Sequence, residues 1–322
     1  MHEQRPVRGR RRGPAWVRVS HGVHRPAEAD PRTALDAWQL VLPLSGRFTH
    51  LTAAGIYEWW LPPLPDGLPV FTAQSDADSR PQRPGLVAFR HADPETPNLL
   101  EDLRVDPPEQ VLLSCARHLS VVDLVVLVDA ALHSGVTTTE ALATAARPRR
   151  RGAPMLRKAL GLADGRSESA WETLLRLLHG ACGIEVEPQH RLRDESGTEV
   201  ARADLWLVGT NALHEYDGGE HLKRRRQRSD LARGRRIGNV QWVRRGYTSV
   251  EVLHQAVGIL RDADLSLGRE HDPARVRQWH ALLAESLFTP SGQVQFLHRL
   301  GPEDRGEACN DGTGGERHPN SA

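Results

Sequence analysis

The stretch from Glu199 to Asp217 constrains this chain most. Glu199 to Val208 reads as a strand carrying Asp204, Gly209-Thr210-Asn211 as a turn, and Leu213 to Asp217 as a second strand carrying Glu215 and Asp217. Strand side chains alternate between faces, so Glu215 and Asp217 point the same way. A two-residue loop at Thr210-Asn211 would set Asp204 opposite Asp217, giving three carboxylates on one face of one hairpin. Like charges this close are costly unless a cation shares them. An all-oxygen donor set suits Mg²⁺ or Mn²⁺. A helix-like basic run follows directly: eight of the fourteen residues from Lys223 to Arg236 are Lys or Arg. A hard-metal site beside a phosphate-attracting surface points to phosphodiester chemistry on DNA.

That chemistry needs an activated water, a route for its proton, and positive charge at the phosphate. Asp204 is the expected central metal ligand and Glu215 the second, with Asp217 bound directly or from just outside. His221, whose ordinary pKa is about 6.5, is the candidate proton acceptor; the alternative is a helix N-terminal residue with no chemistry. Lys223, Arg224, Arg225, Arg228 and Arg233 are the candidate nucleic-acid contacts. The alternative for such a run is a solvated helix face. Asp230 and Arg233 are three apart on that helix and read as a structural pair.

The string Asp204-x(10)-Glu215-Tyr216-Asp217-Gly218-x-x-His221, then Asp230-x-x-Arg233, then a strand with Arg244 or Arg245, resembles the DUF559 family. Those domains are similar to the very-short-patch-repair endonucleases, within the broad PD-(D/E)XK nuclease-like class. The resemblance covers about residues 165–265. It implies an α/β, restriction-endonuclease-like domain with an αβββαβ core. The order of elements agrees: a helix from Ser167, strands at Val186–Arg193, Glu199–Val208 and Leu213–Asp217, a helix at 221–236, and a strand at Asn239–Arg244. In the family a helix glutamate lies close to the metal, and the string SESAWETLLR carries that role to Glu172. An i,i+4 salt bridge with Arg176 is the competing role. The broader class usually has a lysine where Asp217 stands, whereas the DUF559 form has Glu-x-Asp-Gly-x-x-His.

Upstream, Ala15 to His24 alternates well enough for a hairpin. Ala34, Leu35, Trp38, Leu40 and Val41 mark one helix face, and Thr52 to Trp60 reads as a second helix capped by Thr52. Trp59 and Trp60 are expected in the core. Leu68–Ala73 and Gly85–His91 read as strands. Pro107-Pro108 opens a helical region in which Val121–His133 is apolar almost all round, so Asp123 and Asp129 there read as capping or core-polar residues. Gly135 stops that helix, and Thr137 to Glu140 has capping-box spacing. This part resembles the helical portion of actinobacterial AbiEi-like antitoxins, with the hairpin standing for the wing of a partial winged helix. The resemblance implies a toxin–antitoxin partner protein.

The expected organisation is therefore a basic disordered arm at 1–15, a mostly helical α+β domain at 16–150, a linker at 151–165, the nuclease-like domain at 166–300 and a disordered tail at 301–322. The boundary rests on the connection at 147–168, where Arg147, Arg149, Arg150, Arg151, Arg157 and Lys158 cluster around Gly152 and Pro154. That basic run reads as solvated surface, with a DNA backbone as the alternative occupant. Net charge over the 322 residues is only +1, so local patches matter more than the total. Cys115, Cys182 and Cys309 share no metal or disulfide spacing and fit a reducing cytoplasm. No apolar run reaches membrane-spanning length. The expected function is metal-dependent DNA endonuclease in repair or defence. The alternative is a non-catalytic DNA-binding regulator that keeps a degenerate nuclease fold.

Overall fold

The structure, a computed structural model, describes residues 5–30, 32–79, 83–91, 96–147, 149–218 and 241–304. It begins with the expected hairpin. Strands β2 (Trp16–Ser20) and β3 (Val23–Pro26) pair antiparallel around Gly22, whose φ of +70° a glycine adopts without strain. Strand β1 (Val7–Arg8), inside the segment read as a free arm, pairs with the far edge of β3.

Helices α1 (Thr33–Gln39) and α2 (His50–Ile56) flank a five-stranded sheet. Its strands are β4 (Arg47–Phe48), β5 (Val70–Ser75), β6 (Leu86–His91), β7 (Asn98–Leu100) and β8 (Leu103–Val105), in the order β6-β5-β4-β8-β7. Two readings need correction here. Thr49, not Thr52, precedes α2; the Thr52 hydroxyl instead accepts the Phe71 backbone N–H at 2.9 Å, tying helix to sheet. The helix also ends at Ile56, before the tryptophans. Trp59 is buried, as expected, and Trp60 packs on the His133 ring.

A helical layer follows: α3 (Pro108–Cys115), α4 (Val121–His133), α5 (Thr139–Ala145) and α6 (Ala153–Leu160). Pro108 occupies the first turn of α3, where its missing N–H costs nothing. Ser120 caps α4 by accepting the Asp123 N–H. The α5 cap is one residue later than the spacing suggested: Thr138 accepts the Ala141 N–H, and the Thr137 hydroxyl turns to Glu109. The expected linker is itself the helix α6. Ala153, Leu156 and Ala159 recur at helical spacing and are fully buried, so the basic residues between them are forced outward.

The C-terminal part opens with α7 (Ala170–Ala181), capped by Ser169, whose hydroxyl accepts the Glu172 N–H. Leu174, Leu175 and Leu178 are its buried stripe. The next strands, β9 (Val186–Arg193), β10 (Glu199–Leu207) and β11 (Ala212–Tyr216), form an antiparallel meander. Strand β12 (Val243–Tyr247) then pairs parallel to β11, giving the order β12-β11-β10-β9. A parallel neighbour requires a long crossover, and residues 217–242 supply it. Thr248 and Glu251 form a reciprocal capping box at the start of α8 (Ser249–His254). Helix α9 (Ala256–Ser266), a 3₁₀ turn (Pro273–Val276), α10 (Arg277–Ala284) and α11 (Pro290–Asp304), which kinks at Gly301, complete the described residues; the rest of the expected tail lies outside them.

The described residues thus form a mixed α and β structure with three sheets. One continuous apolar core runs from Phe48 and Phe71, through α4 and α7, to Trp279 and Phe296. Two buried carboxylates stitch it together. Asp123 accepts from the Ser286 hydroxyl at 2.5 Å and the Leu287 N–H at 3.0–3.1 Å. Asp129 accepts from the Asp164 and Gly165 N–H groups, the Thr173 hydroxyl and the Arg176 guanidinium. Both are core-polar residues, as their helix position suggested. Arg176 therefore pairs with Asp129 and not with Glu172. Among the described residues no helix is long and apolar enough to cross a membrane.

Candidate functional site

The hairpin of β10 and β11 carries the acidic residues, and its register differs from the expected one. Leu205 lies opposite His214 and Trp206 opposite Leu213. Continuing that ladder puts Asp204 opposite Glu215, not Asp217. The turn sets the register. It takes the four residues Val208–Asn211, with the Thr210 N–H donating to Leu207 O at 3.1 Å and the Thr210 hydroxyl accepting the Ala212 N–H at 2.9 Å. A longer loop moves the pairing by two residues, so the carboxylates stay on one face while their partners change.

That face is the one turned away from α7. Leu205, Leu207, Ala212, His214 and Tyr247 belong to the side that packs on the helix: His214 bonds to His179, and Tyr216 stacks on Trp171 with ring centroids 5.4 Å apart. The alternate residues Asp204, Trp206, Leu213 and Glu215 face the other way. Trp206 and Leu213 join Leu192, Ala203 and Trp242 in a separate small apolar cluster. Directly opposed residues of an antiparallel pair have Cβ atoms about 4.5–5.5 Å apart, so Asp204 and Glu215 are close neighbours.

Each acid is anchored. Asp204 Oδ2 accepts the Tyr216 backbone N–H at 2.9 Å, securing the end of the hairpin. Glu215 Oε1 accepts from Arg244 Nε at 3.1 Å and from its Nη2, the arginine reaching across from β12. Asp217 lies one residue past β11, and its N–H still donates to Tyr247 O at 2.7 Å, which carries the strand alternation forward. All three acids are half-buried.

Glu172 sits on the first turn of α7, bonded to Gln189, which the β9–β10 ladder sets across from Asp204. Its Oε2 accepts the Glu168 N–H and the Gln189 amide, both at 2.8 Å, and its Oε1 accepts the Ser169 hydroxyl at 3.0 Å. Burial, chiefly, raises its pKa. These bonds cap the helix and hold it to β9. The structure therefore sets Asp204 opposite Glu215, with Asp217 one residue past the strand, and ties Glu172 to Gln189 beside Asp204 while it also caps α7. His221, Lys223, Arg224, Arg225, Arg228, Asp230 and Arg233, and with them the expected helix at 221–236, lie outside the described residues.

Among the described residues no group of three or more His, Cys, Asp or Glu side chains stands in metal-holding geometry. The donors that do converge are two carboxylates. Mg²⁺ fits such a pair, because it keeps several waters and binds through one or two carboxylates together with substrate phosphates.

Behind the sheet runs a buried polar chain that sequence reading did not find. His179 Nδ1 donates to Leu175 O at 2.7 Å, so His179 Nε2 accepts from His214 Nδ1 at 2.9 Å. His214 Nε2 and Asp262 Oδ2 then lie 3.3 and 3.1 Å from the one Tyr247 hydroxyl. Asp262 also pairs with Arg245 at 3.0 Å. Burial holds the His179 imidazole down to about 4, and burial plus the neighbouring His179 holds His214 down to about 2. The hint was a histidine inside each apolar stripe, beside Leu175 in α7 and between Leu213 and Glu215 in β11.

Compared with protein-family models, with curated proteins and with solved structures, the chain shows no significant match. The functional reading therefore rests on the residues themselves.

Proposed function

We propose that this protein is a metal-dependent DNA endonuclease whose reactive centre is the outer face of the β10–β11 hairpin. One observation carries the reading: Asp204 and Glu215 are opposed on adjacent strands, share a face and are both half-buried. Asp204 and Glu215 would hold Mg²⁺ or Mn²⁺, with Asp217 alongside. Such an ion lowers the pKa of a bound water and offsets charge at the scissile phosphate. The chain's own part is positional. The Tyr216 N–H fixes one Asp204 oxygen, and Arg244 lies where it can turn from Glu215 to a phosphate. His221 is the proton acceptor in this reading, and the basic run Lys223–Arg236 attracts the DNA backbone. The DUF559 and AbiEi-like resemblances support the same assignment, including the nuclease-like core for α7 to β12, a winged-helix-like remnant at the N-terminus, and a cytoplasmic repair or defence role with a toxin–antitoxin partner.

The Glu215–Arg244 pair favours a second reading, a non-catalytic DNA-binding regulator, because it already neutralises a carboxylate that a metal would need. Incubation of supercoiled plasmid with the purified protein in Mg²⁺, Mn²⁺ or EDTA separates the two. Nicking that requires metal and disappears in Asp204→Ala supports the endonuclease. Binding without cutting, unchanged in Asp204→Ala, supports the regulator.

A further inference from the structure

The basic connection between the two parts of the chain is a built surface. Helix α6 buries Ala153, Leu156 and Ala159 against the helical layer. Arg147, Arg149, Arg150, Arg151, Arg157 and Lys158 are all exposed around it. No acidic residue occurs between Glu140 and Asp164. None of the six makes an ion pair with a described residue, whereas Arg32, Arg47, Arg166, Arg176, Arg202 and Arg244 are all paired with carboxylates. Arg150 and Arg157 donate to Ala145 O and Ala146 O, satisfying the carbonyl end of α5. Arg150 also lines an open hollow with Glu109 and Glu140. Arg147, Arg149, Arg151 and Lys158 have neither kind of partner among the described residues.

The ridge is also held rigid. Gly152 stands at its centre with φ +88°, and a Cβ there would lie 2.3 Å from Leu113 O. The positive field extends beyond it. Burial first, and then the charges of Arg117, Arg151 and Arg299, hold the His118 imidazole down to about 4. Arg299 Nε donates to His118 O at 2.6 Å.

We infer that this ridge, Arg147 to Lys158, is a phosphate-contacting surface for duplex DNA, separate from the basic run Lys223–Arg236. Unpaired cations clustered on one surface favour a polyanion, because no internal ion pair has to be given up on binding. Five of the six are arginines, whose planar fork matches phosphate oxygens better than an ammonium does. The apolar residues of α6 turn inward, so the ridge carries no buried-side anchor to insert into a lipid surface. The inference takes only its partner, DNA, from the proposed function, and it holds whether or not the protein cuts.

The test is fluorescence anisotropy of a labelled duplex in EDTA across a salt series, with the full-length protein and with Arg149→Ala/Arg151→Ala/Lys158→Ala. These side chains hold nothing in the fold, and far-ultraviolet circular dichroism checks that the variant keeps its helices. The expected result is a salt slope smaller by about one per contact removed, hence by about two to three. Arg193→Ala/Arg277→Ala, exposed elsewhere, should leave the slope unchanged. An unaltered slope in the triple variant overturns the inference, as does a wild-type protein that does not bind the duplex. It also fails if the triple variant loses affinity for phosphatidylserine vesicles while its DNA binding is untouched. Because EDTA removes cleavage, a protein that never nicks plasmid with Mg²⁺ can still pass this test.

Discussion

Asp129→Ala should be among the most destabilising single substitutions in the helical layer. Asp129 is fully buried and accepts four hydrogen bonds: Asp164 N–H at 2.8 Å, Gly165 N–H at 3.0 Å, the Thr173 hydroxyl at 2.8 Å and Arg176 Nη2 at 2.7 Å. The Arg176 side chain is only 12% exposed. Removing the acid leaves a largely desolvated guanidinium unpaired and two backbone donors without acceptors. Breaking a buried pair from one side costs about 3–5 kcal/mol, a large share of the roughly 5–15 kcal/mol of a whole domain. Asp129→Asn keeps the shape and one acceptor but loses the charge, so about 1.5–3 kcal/mol is expected. Asp129→Ala/Arg176→Met removes both partners and should recover part of the loss. Urea unfolding followed by circular dichroism and tryptophan fluorescence reads all three. A loss below about 1 kcal/mol for Asp129→Ala, or a double variant no more stable than the single, would refute the reasoning.

The buried histidines make stability acid-sensitive. His179 and His214 have folded pKa values near 4 and 2, below their unfolded value of about 6.5. The unfolded chain therefore binds more protons, and stability falls as pH drops below about 6.5 and goes on falling toward 4. His179→Gln/His214→Gln should show a flatter melting temperature over that window than wild type, and an equally steep profile would count against the buried pair as the cause. Gly152→Ala should cost more than the roughly 1–3 kcal/mol of left-handed backbone strain, because its Cβ also meets Leu113 O, whereas Gly197→Ala, at φ +81° with open space, should show the strain alone. Thr248→Ala removes half of a capping box and should lower stability by about 0.5–2 kcal/mol in the same unfolding assay.

Local signals carried far in this chain, and distant ones did not. The hairpin at Trp16–Pro26, the helix that follows Ser167 and the apolar Val121–His133 helix were legible because each is decided within a few residues. The α5 cap slipped from Thr137 to Thr138 because two adjacent hydroxyls competed, and Glu109, from α3, took one of them. Helix α6 was hidden by the six basic residues in and just before it, although Ala153, Leu156 and Ala159 already had the right spacing. At the candidate site, strand alternation correctly put Asp204 and Glu215 on one face. Their register depended on a side chain in the turn, Thr210, which no periodicity reveals. Arg176 was assigned to its nearest acid, Glu172, because Asp129 is far off in sequence and reaches α7 only through the folding of the intervening helices. The His179–His214 contact was invisible for the same reason.

The assignment of Asp204 and Glu215 as a hard-cation site is tested most directly by titrating Mn²⁺ into the full-length protein by isothermal calorimetry, alongside Asp204→Asn and Glu215→Gln. The account expects wild type to bind Mn²⁺, Mg²⁺ to compete for the same site, and both substitutions to abolish or weaken binding at least tenfold. If wild type binds no Mn²⁺, or if both variants bind it as tightly as wild type, the hairpin carboxylates do not form a metal site.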